Sequence, residues 1–260
     1  MLTRALAVAL AAIAAAVIAI LAWPHSSGSA PAARVGGLPA APEPAFVVPR
    51  PVGLSHAAAV SYWASVRRPV IARATAGPNA RPVARLSTTT PEGTTNIVLV
   101  LGRRLGRRGR VWVHVRLPVL PNGETGWVPR GALGVYGVVH THLLIDLGRL
   151  TATLLRDGRT LFRAPIGVGA PGSPTPRGEF YVRNVLTRYR SPFYGPVAFG
   201  TSARSAVLTD WPGGGFIGIH GTDSPWLLPG RISHGCIRLR DEDILELAKL
   251  MPAGTPVTIR

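Results

Sequence analysis

The chain has 260 residues, a formal net charge of +17 and 47% hydrophobic residues, enough for one large or two small domains with a real core. Its 30 glycines and 25 prolines argue against a long-helix protein and for short strands joined by turns. Lys249 is the only lysine, so arginine carries almost all of the positive charge, and that charge selects anionic surroundings: nucleic acid, phospholipid headgroups or an acidic wall polymer.

Residues 1–23, MLTRALAVALAAIAAAVIAILAW, place Arg4 ahead of an unbroken apolar run from Ala5 to Trp23. A run of about 19 residues can span a bilayer as a helix and exceeds the roughly 7–15 apolar residues of a cleaved signal. The segment reads as an uncleaved signal anchor, with a signal peptide cut after Ala30–Ala32 as the alternative. Either way the body of the protein is exported, which argues against nucleic acid as its partner. Residues 24–67 are rich in Ala, Pro, Gly and Ser without apolar periodicity and read as a flexible linker, with room for one short helix in Ser55–Val70.

Residues 68–136 change to short β-like runs. In VWVHVRL, Val111, Val113, Val115 and Leu117 fall on one face, with Trp112, His114 and Arg116 on the other. PNGETGWVP places a Pro-Asn-Gly turn before a returning strand, the signature of a hairpin. The order of strands, this hairpin and the closing GWV resemble a bacterial Src-homology-3-like barrel, which implies a wall-binding or spacer module. The loop GRRLGRRGR carries Arg103, Arg104, Arg107, Arg108 and Arg110. It is either a solvated hairpin loop or an electrostatic contact with an anionic wall polymer or lipid surface.

Residues 137–260 form a second β-rich body. THLLIDLGRLTATLLRDGRTLFRAPIGVG reads as three strands with turns at Gly148 and Asp157-Gly158; GFIGIHGTD is a strand ending at His220. Asp241 is placed to N-cap a helix with Glu242 and Asp243 in its first turn. Ile244, Leu245, Leu247, Ala248, Leu250 and Met251 supply the buried side, and TPVTIR is a terminal strand.

The stretch RISHGCIRLRDED holds Cys236, the only cysteine of the chain. Exported proteins use cysteines in pairs as disulfides, so an odd one points to a free thiol with a chemical role, against the plainer reading of a small buried hydrophobe. If Ser233–Leu239 is extended, His234, Cys236 and Arg238 share one face while Ile237 and Leu239 enter the core. Two cationic neighbours lower the thiol below the ~8.5 of a free cysteine and make it a nucleophile. His220, at the end of an apolar strand and followed by Gly221 and Thr222, is the favoured base over His234. Gly235 permits close approach of substrate, and the N–H groups around Gly235 and Cys236 are candidate oxyanion donors. Cys236 and His234 are too few ligands for a closed zinc site, so neither a metal nor another cofactor is expected.

IGIHGTD followed by SHGCIRL, with SPTPRGEFYV and YGPVAFGTSA upstream, resembles the L,D-transpeptidases of the YkuD type over about residues 138–260. The resemblance implies a mainly β fold in which the small Src-homology-3-like barrel is followed by a YkuD-type β-sandwich with a C-terminal helix. It also implies roles. Cys236 attacks a peptide carbonyl; His220 takes the thiol proton or pairs with the thiolate; the Gly221 carbonyl orients His220; His234 and Gly235 shape the site. Arg238 holds a substrate carboxylate, with Thr222, Ser233 and Tyr194 as further substrate contacts and Tyr194, Trp211 and Trp226 as candidate cleft walls. The implied substrate is a peptidoglycan tetrapeptide stem, and carbapenem-type β-lactams are implied as covalent inhibitors. An exported cysteine peptidase or carboxypeptidase, and a non-catalytic wall-binding protein, remain open from the residues alone.

Overall fold

Alternating β-branched and aromatic residues, cut by Gly, Pro and Asp-Gly turns, form strands here almost throughout. The computed structural model describes residues 52–53, 60–187, 192–208 and 215–260. The expected signal anchor, most of the linker and Trp211 lie outside these. Among the described residues no helix is long and apolar enough to cross a membrane.

The N-terminal strands are β1 (Val52–Gly53), β2 (Ser61–Val66), β3 (Val70–Arg73), β4 (Pro82–Leu86), β5 (Ile97–Leu105), β6 (Val111–Arg116), β7 (Thr125–Pro129) and β8 (Leu133–Val139). They make one sheet in the order β4-β3-β7-β6-β5-β2-β8, with β1 on β5. Residues 61–66, read from composition as linker or short helix, are instead a strand paired on both sides, with β5 and β8. Ala64 and Val66 enter the core, a gain that outweighs the weak local signal. In β6, Val113 and Val115, and Leu117 just beyond it, are buried as the alternation requires, but Val111 is exposed and Trp112, on the opposite face, is buried. Gly106 makes room for the Trp112 ring: a Cβ there would come within 2.8 Å of it. His114 stacks on Trp127 at 4.7 Å.

The second group comprises β9 (Thr141–Asp146), β10 (Thr151–Arg156), β11 (Arg159–Pro165), β12 (Gly167–Gly169), β13 (Gly178–Leu186), β14 (Ala198–Arg204), β15 (Phe216–His220), β16 (Gly230–Ser233), β17 (Ile237–Arg238), helix α1 (Asp241–Leu250) and β18 (Pro256–Ile259). Their sheet order is β11-β10-β9-β18-β13-β14-β15-β17-β12-β16. The β10–β11 turn has Asp157 at φ 50 and Gly158 at φ 79, the left-handed pair that a tight hairpin demands. Helix α1 buries Ile244 and Leu247, while Leu245 stays exposed. Its N-cap is Arg240. Asp241, expected as the cap, is the first helical residue, and its carboxylate is used elsewhere.

The described residues all fall within one compact unit, Val48–Arg260, and the two sheets share a buried seam. Tyr181 of β13 is fully buried and its hydroxyl donates to the Ile97 carbonyl of β5 at 3.0 Å. Asn122, in the β6–β7 turn, donates to the Arg204 carbonyl and accepts from the Arg204 N–H, at 2.7 and 2.9 Å. Glu92, between β4 and β5, accepts from Arg183 at 2.9 Å and from Asn184 at 3.1 Å. The Arg183 side chain is 1% exposed, and breaking a buried pair by removing one partner strands the other charge. Glu92→Gln is therefore expected to lower stability by about 3 kcal/mol, read as a fall in the urea midpoint with an unchanged slope; an unmoved midpoint would contradict it.

Candidate active site

Three local features bring the site together. First, β15 alternates: Ile217 and Ile219 are buried in the core, and His220 closes the strand with 1% exposure. Second, β15 and β17 pair in parallel, placing His220 opposite Arg238, and the Leu239 N–H donates to the His220 carbonyl at 2.9 Å. Third, the chain between β16 and β17 turns tightly rather than running extended. Ser233 Oγ donates to the Cys236 carbonyl at 2.6 Å and accepts the Gly235 N–H at 3.1 Å. Gly235 has φ 115, a conformation that favours glycine. Thr175 Oγ1 locks the turn from behind, donating to the Gly235 carbonyl and accepting the Gly169 N–H, both at 2.8 Å.

This turn corrects the expectation that His234, Cys236 and Arg238 share one strand face. His234 is exposed, Cys236 half-buried and Arg238 buried. Even so, all of these side chains reach one cleft of ≈ 420 Å³, whose lining includes Tyr194, Phe216, His220, Ser233, Cys236 and Arg238.

Electrostatics at the thiol also differ from expectation. Two cationic neighbours along the sequence imply a lowered Cys236 titration point. Burial instead pushes it up, against weaker opposing effects from the Gly218 N–H, which donates to Sγ at 3.3 Å, and from Arg238. Desolvation of a thiolate outweighs one cation whose charge is already spread over a planar guanidinium. Burial likewise drives His220 down to about 4, with Arg238 adding to the fall and the Gly221 hydrogen bond opposing it. Both shifts favour the uncharged form of the group concerned.

The imidazole tautomer follows from one bond. His220 Nδ1 lies 2.6 Å from the Gly221 carbonyl oxygen, which can only accept, so Nδ1 carries the proton. Nε2 is then the lone-pair nitrogen, and it is buried with no hydrogen-bond partner among the described residues. Gly218 lies against both side chains: a Cβ built there would lie 3.6 Å from the His220 ring and 3.8 Å from Cys236 Sγ.

Residues 140–259 match the YkuD family, described as the L,D-transpeptidase catalytic domain. The chain is similar to YkuD of Bacillus subtilis, 39% identical over 118 residues, 45% of this chain and 65% of that protein. It is also similar to L,D-transpeptidase 1 of Mycobacterium tuberculosis, 28% identical over 120 residues, 42% of this chain and 46% of that protein. It thus spans less than two thirds of either relative's length. A crystal structure of a mutant Enterococcus faecium L,D-transpeptidase is 25% identical, covering 46% of this chain and 50% of that one with a TM-score of 0.35.

Within residues 140–259 several residues lie where local sequence patterns do not place them. Thr222 does not line the cleft; it is buried, with its N–H on Asp241 and its hydroxyl accepting the Ser224 N–H. Gly221 and Gly235 also act from behind the lining. Trp226 is 76% exposed and outside the lining, whereas Tyr194 packs edge-on against His220 at 4.8 Å. Phe193 and Phe216 also line the cleft. Phe193 carries the Arg238 guanidinium 4.4 Å above its ring, and Phe216 carries that of Arg183 at 3.8 Å. The signal for Gly218 was present in the strand IGIHG, since glycine inside a strand marks a close approach. No local pattern marks the two phenylalanines.

Proposed function

We propose that this protein is an exported peptidoglycan L,D-transpeptidase that works through a cysteine acyl-enzyme. The observation that carries the reading is the His220 ring, held by the Gly221 carbonyl with its Nε2 lone pair unpartnered among the described residues, in the cleft that also receives Cys236. A neutral thiol beside a neutral imidazole favours general-base attack over a preformed ion pair. As Sγ adds to the carbonyl of the third residue of a tetrapeptide stem, a diamino acid, His220 Nε2 takes the thiol proton. The C–N bond to the terminal D-Ala breaks and the imidazolium gives that proton to the departing amine. The thioester is then attacked by an amine of a second stem; His220 removes its proton and the thiol is restored. The product is a cross-link between two third residues.

The Gly235 N–H is committed to Ser233, which leaves the Cys236 N–H as the oxyanion donor of this turn; one such donor contributes about 3 kcal/mol in acyl transfer. Arg238 suits a substrate carboxylate: it is 7% exposed, lines the cleft and makes no ion pair among the described residues. The N-terminal sheet fits the Src-homology-3-like module read from the sequence. Its exposed Arg103, Arg104, Arg108 and Arg110 suit an anionic wall polymer or lipid surface, with residues 1–23 as the anchor.

The test is intact-mass and muropeptide analysis of the purified protein with disaccharide tetrapeptide stems, with a casein-type substrate in parallel. The expected products are free D-Ala and stem dimers, together with a stoichiometric mass increase on exposure to a carbapenem, whose strained amide acylates the thiol. Cleavage of casein alone, or no adduct on Cys236, would overturn the proposal.

A further inference from the structure

We propose that Asp241 is a positioning residue for the imidazole of the YkuD-type site, acting through a single peptide unit. The inference rests on the acyl-transfer reading above. The Gly221 carbonyl that fixes His220 Nδ1 and the Thr222 N–H belong to the same peptide bond. Asp241 Oδ1 accepts that N–H at 3.0 Å, while the carbonyl accepts from Nδ1 at 2.6 Å. A planar peptide held at both ends cannot rotate without breaking one of the two bonds. A carboxylate on its N–H also draws charge toward its carbonyl oxygen, which strengthens acceptance from the imidazole.

The packing around this oxygen is consistent with a dedicated seat. A Cβ added at Gly195 or at Gly221 would overlap Asp241 Oδ1, so both glycines leave space for it. Gly195 directly follows Tyr194, whose ring packs edge-on against His220. One carboxylate oxygen therefore receives the chain after the cleft wall, the chain after the imidazole and the start of α1. Its role is that of the third member of a Cys-His-acid set, with a peptide group between the imidazole and the acid. Asp241 touches neither the cleft nor the thiol, so its effect on the reaction passes through ring orientation and tautomer alone.

Two substitutions separate this role from support of the helix. Asp241→Ala and Asp241→Asn both remove one of the three negative charges in the first turn of α1, but only asparagine keeps an Oδ1 acceptor for the Thr222 N–H. Asp241→Ala is expected to lower kcat by about 10- to 100-fold, the scale of a small misplacement in an active site, with KM within about threefold. Asp241→Asn is expected to stay within about threefold of the parent in both. Imidazole 15N shifts of His220 give a readout independent of turnover: a protonated Nδ1 in the parent and in Asp241→Asn, and mixed tautomers in Asp241→Ala. Should Asp241→Ala not fold, Asp241→Ser, whose hydroxyl is too short to reach the same N–H, replaces it. A parent protein inactive on tetrapeptide stems would sink the proposed function while the 15N comparison still tests this inference. Unchanged tautomer and kcat in Asp241→Ala, or equal losses in the alanine and asparagine variants, would overturn it.

Discussion

Replacing Cys236 by alanine is expected to lower stem cross-linking by at least about a thousandfold, since nucleophiles of acyl-transfer enzymes show losses of that order or more. The change removes one sulfur atom that accepts the Gly218 N–H, so the cost to stability should stay near 1 kcal/mol. The same sulfur makes a pH prediction. Burial holds the thiol above its ordinary range, so little thiolate is present at neutral pH. Alkylation of Cys236 by iodoacetamide is therefore expected to climb with pH past ~8.5, where a free cysteine is already half ionised. A plateau below pH 7 would mean a preformed ion pair and would contradict the general-base sequence.

His220→Gln is expected to reduce turnover by about 10²–10⁴-fold, the usual contribution of a positioned general base, because glutamine offers no lone-pair nitrogen to take a proton. It should also change how stability depends on pH. The folded imidazole titrates at about 4, against 6.5 for the unfolded reference. Between these values the unfolded chain binds more protons than the folded one, so stability falls as pH falls through that window. This contribution is fully present above about pH 6.5 and is lost by about pH 4. Its size is on the order of 3 kcal/mol, from 1.36 kcal/mol per unit. Urea midpoints measured between pH 7 and pH 4 should therefore decline less steeply for His220→Gln than for the parent. Parallel declines would show that the buried imidazole is not the group being protonated.

The seam between the two sheets bears on how the cleft is built. Glu92 of the N-terminal part neutralises Arg183, and the Arg183 guanidinium lies over Phe216, a residue of the cleft wall. Arg204, which exchanges hydrogen bonds with Asn122, lies 4.9 Å from the same ring. The wall of the site is thus braced by contacts that begin in the other sheet, over and above any contact that sheet makes with the wall.

The sequence by itself determined most of the strands, because apolar alternation and turn residues act within a few positions of one another. FIGIH puts Ile217 and Ile219 inward and His220 at the strand end, Asp157-Gly158 specifies its own hairpin, and the spacing from IGIHGTD to SHGCIRL carries the resemblance to YkuD. Local reasoning misjudged Ser61–Val66, where pairing with β5 and β8 decided the conformation, and Ser233–Leu239, where Ser233 folds the chain into a turn. Only the tertiary structure decided that the thiol is raised rather than lowered, that Asp241 grips the Thr222 N–H and that Glu92 reaches Arg183. Those outcomes depend on desolvation and on partners 19 and 91 positions apart, and no local period or turn preference encodes either.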